Sequence, residues 1–346
     1  MDKSIYHRRN ESQTHVVKSA ESRTRKLLSA AVTASLISPA TALWSPAQAD
    51  LDLYGWINNV LEYRKVGNND STLDVNSILS RFGLRYREDL GNGLSATAQY
   101  EFQVRTDREL DAIERIRVAT VGLESAYGSV DIGNQWSAYY DTVGTHIDPS
   151  YTVAYNLYST VVQAPYRAAN TIKYSNSFGP VYLELDLRLN DTDEGGDPVS
   201  NLYGGGGGIG VSYRPNDNLV MAAALDSEDA SDTDGTLDSD RMGFVARYDF
   251  SRYWVTLSWQ NRETDNVDVD HVQTWIGVNF SDSLSGMLGY GKADDNAGTE
   301  PDQLSLGIYH HLGGGLRIWY EGTAFDADSG GARDVDRHIL GLRLDF

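Results

Sequence analysis

After Asp50, apolar and polar residues alternate with a period of two along most of the chain. In Val181–Asn190, Val181, Leu183, Leu185, Leu187 and Leu189 share one face, and Tyr182, Glu184, Asp186, Arg188 and Asn190 share the other. Successive side chains of an extended strand point to opposite sides, so the pattern predicts strands with one apolar and one polar face. In Leu94–Arg105, Leu94, Ala96, Ala98, Tyr100, Phe102 and Val104 oppose Ser95, Thr97, Gln99, Glu101, Gln103 and Arg105. In Tyr253–Arg262, Tyr253, Val255, Leu257 and Trp259 oppose Trp254, Thr256, Ser258, Gln260 and Arg262. His271–Phe280 puts Val272, Thr274, Ile276, Val278 and Phe280 on one face. Strands are expected over 52–65, 78–88, 93–106, 113–125, 128–136, 170–176, 181–190, 207–214, 219–226, 241–250, 253–262, 271–280, 284–292, 302–312, 315–325 and 336–346, about 16 in all, an even number as single-chain bacterial barrels require. Most are about 8–12 residues long, the length a tilted strand needs to cross the hydrocarbon layer.

The connections alternate in kind. Asp89–Gly93, Arg214–Asn218, Phe250–Arg252, Phe280–Ser283 and Leu312–Gly315 are short and rich in Gly, Asn and Asp, the residues of tight hairpins. Asp191–Gly206, Asp226–Asp240, Glu263–Asp270, Ala293–Pro301 and Asp326–Asp336 are long and acidic. Short turns at one end and long loops at the other are the asymmetry of an outer-membrane barrel. The fold expected is therefore all-β, a transmembrane antiparallel β-barrel. Between Gln135 and Asn170 the alternation lapses for more than thirty residues. A loop this long is usually functional, and inside a barrel of this size it can fold inward and narrow the channel.

Arg23, Arg25 and Lys26 precede the mostly apolar stretch Leu27–Leu43, and Pro46-Ala47-Gln48-Ala49 follows. A basic region, an apolar core and small residues at Ala47 and Ala49 make the layout of an export signal, with cleavage after Ala49. The expected organisation is a signal peptide over 1–49 and one barrel over 50–346. The polar leader Met1–Thr24 is longer than such a signal needs.

Charge narrows the function. The chain has 29 Lys and Arg against 49 Asp and Glu, a net −20. Without the leader's 7 basic and 3 acidic residues, 22 basic and 46 acidic remain, a net −24. Such an acid excess argues against a nucleic-acid partner, whose phosphates need cations. Absence of Cys removes disulfide and thiolate-metal chemistry. His146, His271, His310, His311 and His338 sit in no nucleophile or zinc motif, and Gly204–Gly208 lacks the Lys-Ser/Thr ending and the helix of a phosphate loop. No catalytic residue, metal site or cofactor is expected. Enzyme, receptor and soluble β-protein readings remain as weaker alternatives. The chain ends in the alternating row Leu340, Leu342, Leu344 and Phe346. A final strand closing on an aromatic carboxylate fits the signal read by the outer-membrane assembly machinery.

Several stretches resemble the general diffusion porins of Gram-negative bacteria: Leu53-Tyr54-Gly55; Ser80-Arg81-Phe82-Gly83-Leu84 with Glu88–Leu94; Arg117 with Val121-Gly122-Leu123; Gly128–Gly133; Arg167 with Asn170–Tyr174; and Phe346. The likeness is specific up to about Tyr174 and mainly one of pattern beyond it. It implies a 16-stranded barrel, usually a homotrimer, in outer-membrane lipid and lipopolysaccharide. It also implies a third loop, about 136–169 here, folded into each pore, with basic wall residues facing loop acids across the constriction. Arg81, Arg117 and Arg167 fall at the matching wall positions. The alternation supports the first of these independently, since Phe82, Leu84 and Tyr86 facing lipid puts Arg81, Arg85 and Arg87 in the lumen. Ile116 and Val118 likewise place Arg117 inward. Asp148, then Asp141, would supply the opposing charge.

Two departures stand out. The family's acidic Pro-Glu-Phe-Gly-type loop tip is replaced by Asp148-Pro149-Ser150-Tyr151, and Trp56 stands where some members have a basic residue. The loop also carries Trp136, Tyr139, Tyr140, Tyr151, Tyr155 and Tyr158. These aromatics either pack the loop on the wall or line a sugar slide, as in sugar-specific porins. The expectation is a channel for passive diffusion of small hydrophilic solutes and ions. Acidic loops attract cations to the mouth, which predicts weak cation preference.

Overall fold

A computed structural model of the chain describes residues 49–109, 112–152, 167–189, 205–229, 238–331 and 333–346. All of these belong to one compact unit, Ala47–Phe346. The expected export signal, up to residue 48, lies outside the described residues, as does Tyr155.

The strands are β1 (Ala49–Val66), β2 (Thr72–Ser77), β3 (Arg81–Gly91), β4 (Leu94–Val104), β5 (Ile113–Ser125), β6 (Gly128–Trp136), β7 (Arg167–Phe178), β8 (Val181–Arg188), β9 (Gly206–Asn216), β10 (Leu219–Glu228), β11 (Ser239–Phe250), β12 (Tyr253–Thr264), β13 (Asp268–Asn279), β14 (Leu284–Asp294), β15 (Asp302–Gly313), β16 (Leu316–Asp326) and β17 (Val335–Asp345). From β3 onward each pairs antiparallel with the next, and β17 returns to β1 in the register Trp56↔Asp345 through Val66↔Val335. Phe346 and Gly55 complete the seam by exchanging two backbone hydrogen bonds of 3.0 Å. Closure leaves no unpaired edge, the condition for a sheet in hydrocarbon.

β2 and β3 occupy one position in the wall. β2 pairs with Asn59–Arg64 of β1, and β3 with Ala49–Trp56 of the same strand. Counted as two halves of one broken strand, they make this a closed 16-strand barrel. The break falls at Leu79, whose φ is 53°. Its polar groups are satisfied: Asn58 N–H donates to Ser80 Oγ at 3.0 Å, and Asn58 Nδ2 donates to the Ile78 carbonyl at 3.0 Å. The sequence reading missed β2, because Thr72–Ser77 offers only Leu73 and Val75 to its apolar face.

The two faces separate as the alternation predicts. On β1, Leu53, Ile57 and Leu61 are exposed outward while Tyr54, Trp56, Asn58 and Val60 are buried. On β17, Leu340, Leu342 and Leu344 are 49, 53 and 43 % exposed. A continuous apolar exterior of this kind belongs in lipid. The inner face is not wholly polar. Trp254, Trp275, Tyr309 and Trp319 form an inward apolar cluster with Val60, Met287 and Ile339. Glycines on neighbouring strands make room for the indoles, since a Cβ at Gly277, Gly289 or Gly341 would overlap Trp254, Trp275 or Trp319.

One expected long loop is short. β12 and β13 extend to Thr264 and Asp268, and Thr264 N–H donates to the Val267 carbonyl at 2.8 Å, so Glu263–Asp270 is a tight hairpin.

Candidate functional site

After β6 the chain turns into the barrel. It forms a π-helical turn (Tyr140–Gly144) and one α-helical turn (Thr145–Ile147). Tyr139, Val143 and Ile147 recur every four residues and therefore share one helical face. That face is buried on Ala222 and Ala224 of β10 and Val245 of β11. Small wall residues permit the approach: a Cβ at Gly210 would overlap the Thr142 side chain, and one at Gly243 would overlap the Tyr139 hydroxyl. Tyr139 is fully buried, and its hydroxyl donates to Gln260 Oε1 at 3.1 Å. It packs the loop on the wall and offers no surface to a passing solute.

Beneath the helix lies a sealed ionic network. Arg188 pairs with Asp186 at 3.3 Å and Asp226 at 2.5 Å, and Arg241 pairs with Asp226 at 3.1 Å and Glu228 at 2.7 Å. The Ala138 N–H donates to Asp186 Oδ2 at 2.6 Å, tying the loop to this network. The polar face of β8 was expected to line water. Glu184, Asp186 and Arg188 are buried instead, because the loop helix occupies the space in front of them.

The two candidate loop acids are placed differently from the expectation. Asp141 Oδ2 accepts a 2.6 Å bond from Lys173 Nζ of β7, which also donates to the Trp136 carbonyl at 3.3 Å and lies 3.7 Å from Glu184. Asp141 thus holds the start of the loop. Asp148 accepts a 3.3 Å bond from the Tyr140 hydroxyl, and among the described residues no guanidinium forms a salt bridge with it. Burial, with repulsion from Glu321 added, pushes the Asp148 carboxyl up to about 7 against the opposing Tyr140 bond.

The tip crosses to β16. Glu321, fully buried, accepts the Tyr151 N–H at 2.6 Å, the Thr152 N–H at 2.8 Å, the Thr152 hydroxyl at 2.5 Å and the Tyr309 hydroxyl at 2.5 Å. Tyr151 lies edge-on to Tyr309 and Trp319, with centroids 5.0 and 5.2 Å away. Charge-assisted bonds to backbone amides fix a segment more firmly than neutral ones. The alternation put Glu321 inward but could not indicate what it would bind.

The predicted basic residues come together on the β3–β7 side. Arg81 and Arg117 share Glu101 Oε1 at 3.3 and 2.6 Å. Arg117 is the extra residue of a bulge, because Glu101 pairs with Val118 and Phe102 with Ile116. Val118, placed outward by simple alternation, is therefore turned inward and buried. Arg115 and Arg117 both donate to Gln103 Oε1, at 3.0 and 2.9 Å. Arg167 lies 4.5 Å over the Trp136 ring, which stacks on Tyr140 at 4.5 Å and 14°. Arg85 lies 3.8 Å over Tyr54, whose hydroxyl donates to Glu101 Oε2 at 2.9 Å.

A second basic group, absent from the sequence reading, stands at the closing seam. The guanidiniums of Arg81 and Arg343 both lie over Trp56, each 3.9 Å from its ring centroid. Arg343 also lies 4.9 Å from the Tyr151 ring and donates through Nε to Asp345 at 2.6 Å. Arg317 donates to the Tyr151 hydroxyl at 2.8 Å and pairs with the same Asp345. The inward parity of Arg317 and Arg343 was legible; their proximity to Trp56 depends on the β17–β1 register.

A family model described as Gram-negative porin matches residues 30–330. Solved structures share the architecture. The anion-selective porin of Comamonas acidovorans is 20 % identical, covering 86 % of this chain and 100 % of that one with a TM-score of 0.71. OmpF of Salmonella typhi, in complex with daunomycin, is 18 % identical, covering 86 % and 97 % with a TM-score of 0.69. The trimer form of OmpT from Vibrio cholerae is 15 % identical, covering 86 % and 99 % with a TM-score of 0.66. At these identities the likeness concerns the fold. No curated protein sequence matches the chain.

Proposed function

The chain belongs to the Gram-negative porin family of outer-membrane channels, and from that premise we propose that it is a general diffusion pore for small hydrophilic solutes and ions, working as a homotrimer and carrying out no catalysis. The segment about 136–169 is its constriction, Arg81, Arg85, Arg117 and Arg167 are the basic wall, and Phe346 is the assembly signal. The observation that carries this reading is an inward segment pinned at both described ends, by Lys173 and Asp186 at its start and by Glu321 at its tip. A segment so held narrows the lumen permanently, which suits passive sieving.

Selectivity follows from two opposed fields. The mature charge of −24 draws cations to the mouth. The walls near the inward loop carry Arg81, Arg85, Arg115, Arg117, Arg167, Arg317 and Arg343 against Glu101, Asp345 and the reluctant acid Asp148. Charges spread over outer loops are screened once the Debye length falls from ~30 Å at 0.01 M to ~3 Å at 1 M, while those within the narrow part are screened less. Weak cation preference is therefore expected at low salt, shifting toward anions as salt rises.

Planar-bilayer recording tests this. Openings in steps of three, linear in solute and with a reversal potential that moves toward anions at high salt, are expected. A salt-independent reversal potential would overturn the selectivity argument. Saturable block by sugars would favour a sugar-specific channel; the loop aromatics argue against it, since Tyr139 is buried and Trp136 and Tyr151 are covered by arginines and other rings.

A further inference from the structure

We propose that the barrel's closing seam holds a binding subsite for small organic carboxylates, centred on Arg343 and supported by Arg317 and Trp56. This rests on the pore reading above and names a solute class that the channel retains during passage.

The donor inventory carries the inference. Arg343 spends Nε on Asp345, and its two Nη atoms have no hydrogen-bond partner among the described residues, nor are they among the side-chain atoms sealed from solvent without one. Arg317 spends both Nη atoms, on Tyr151 and Asp345, and leaves Nε buried without a partner. The Arg343 Nη donors, open to the lumen and unclaimed by the protein, are the ones an acceptor in passage can reach.

Geometry selects the acceptor. The Arg343 Cζ lies over the Trp56 ring at 3.9 Å from its centroid and over the Tyr151 ring at 4.9 Å, the positions of a cation–π contact. Stacking occupies the π-face of a guanidinium and leaves its N–H fork free in the plane. A fork held flat has already lost much of its rotamer freedom, so little further entropy is given up when it binds. Its natural partner is a planar carboxylate, taken through two parallel bonds. An aromatic or neutral sugar has no comparable place, because two guanidiniums already lie over the Trp56 ring.

Charge agrees. Arg317 and Arg343 both pair with the one carboxylate of Asp345, so these two guanidiniums at the seam keep a net positive charge. The site lies on β16, β17 and β1, across the closure from the wall cluster on β3–β7.

The test uses potassium succinate against KCl of equal ionic strength. Binding to the folded protein in detergent is followed by calorimetry, and block of chloride current is followed in bilayers. Saturable binding and saturable block with the same half-point are expected. Arg343→Lys keeps the charge but loses the fork and the stack; it should weaken both about tenfold. Trp56→Phe should give a smaller loss in the same direction. Equal binding by wild type and Arg343→Lys, or binding that never saturates, would overturn the proposal. A protein that binds succinate at Arg343 yet passes no current would uphold the site and refute the pore reading.

Discussion

Glu321→Gln isolates the contact that holds the tip of the inward loop. The carboxylate receives four donors, from Tyr151 N, Thr152 N, the Thr152 hydroxyl and the Tyr309 hydroxyl, at 2.5–2.8 Å. An amide of the same shape has one acceptor oxygen and turns an NH₂ group toward the remaining donors. At either oxygen the hydroxyl can turn to accept from the NH₂ group but the backbone N–H cannot, so one charge-assisted bond worth about 1.5–3 kcal/mol is lost outright and tip docking weakens by at least about that much. The helical turns are held by other means, the Tyr139–Val143–Ile147 face and the Asp141–Lys173 pair, neither of which touches Glu321. The expected variant is a folded barrel whose residues 148–152 leave the wall while 139–147 stay. Single-channel recording should show altered mean conductance and added current noise, and heat-modifiable gel mobility should be unchanged because every strand ladder is intact. Thr152→Val should give part of the effect alone and little beyond it in the Glu321→Gln background, since both act on one contact. Wild-type conductance and noise in Glu321→Gln would refute the claim that this carboxylate fixes the tip.

Two further outcomes are expected. The Asp148 carboxyl, raised by burial to about 7 from 3.8, retains its proton in the docked loop where an undocked one would have lost it; docking is therefore strongest at low pH and weakens as pH rises from about 4 to about 7, when a negative charge appears beside the passage. The reversal potential should move toward cations across that upper range and stay flat in Asp148→Asn, and a flat wild-type profile would count against the assignment. Gly341→Ala would drive a Cβ into Trp319, the ring that backs Tyr151; overpacking of this kind costs about 1–3 kcal/mol, read as a lower temperature for the gel-mobility transition, and an unchanged transition would refute it.

How far the sequence could be read depended on the range of the interaction involved. Strand existence and facing were legible because period-two alternation is local and repeats wherever a wall separates lipid from interior; Leu340, Leu342 and Leu344 were placed outward correctly on that ground alone. The pattern could not tell whether a polar inward face meets water or another stretch of the chain. Asp186 and Arg188 look the same in either case, because a polar face can be covered when its charges pair with Asp226 and, beyond it, with Arg241 on neighbouring strands. A sharper signal was present. Gly208 and Gly210, Ala222 and Ala224, and Gly243 and Val245 are small or apolar at the inward parity of three consecutive strands, where a solvated wall would carry longer polar groups. In the loop, Tyr139, Val143 and Ile147 fall at helical spacing. A strip of small wall residues and a helical apolar triplet are complementary shapes, and their pairing could have been proposed from the sequence. Trp56 offered no such complement. Its departure from the family pattern gains meaning only from the register that brings Asp345 opposite it and so carries Arg343 within stacking distance, a contact between residues almost the whole barrel apart in sequence. The last strand thus brings a cation beside the first, across an aromatic spacer that also holds Arg81. That arrangement keeps the seam cationic while restraining the guanidiniums, which a lysine at position 56 would not do.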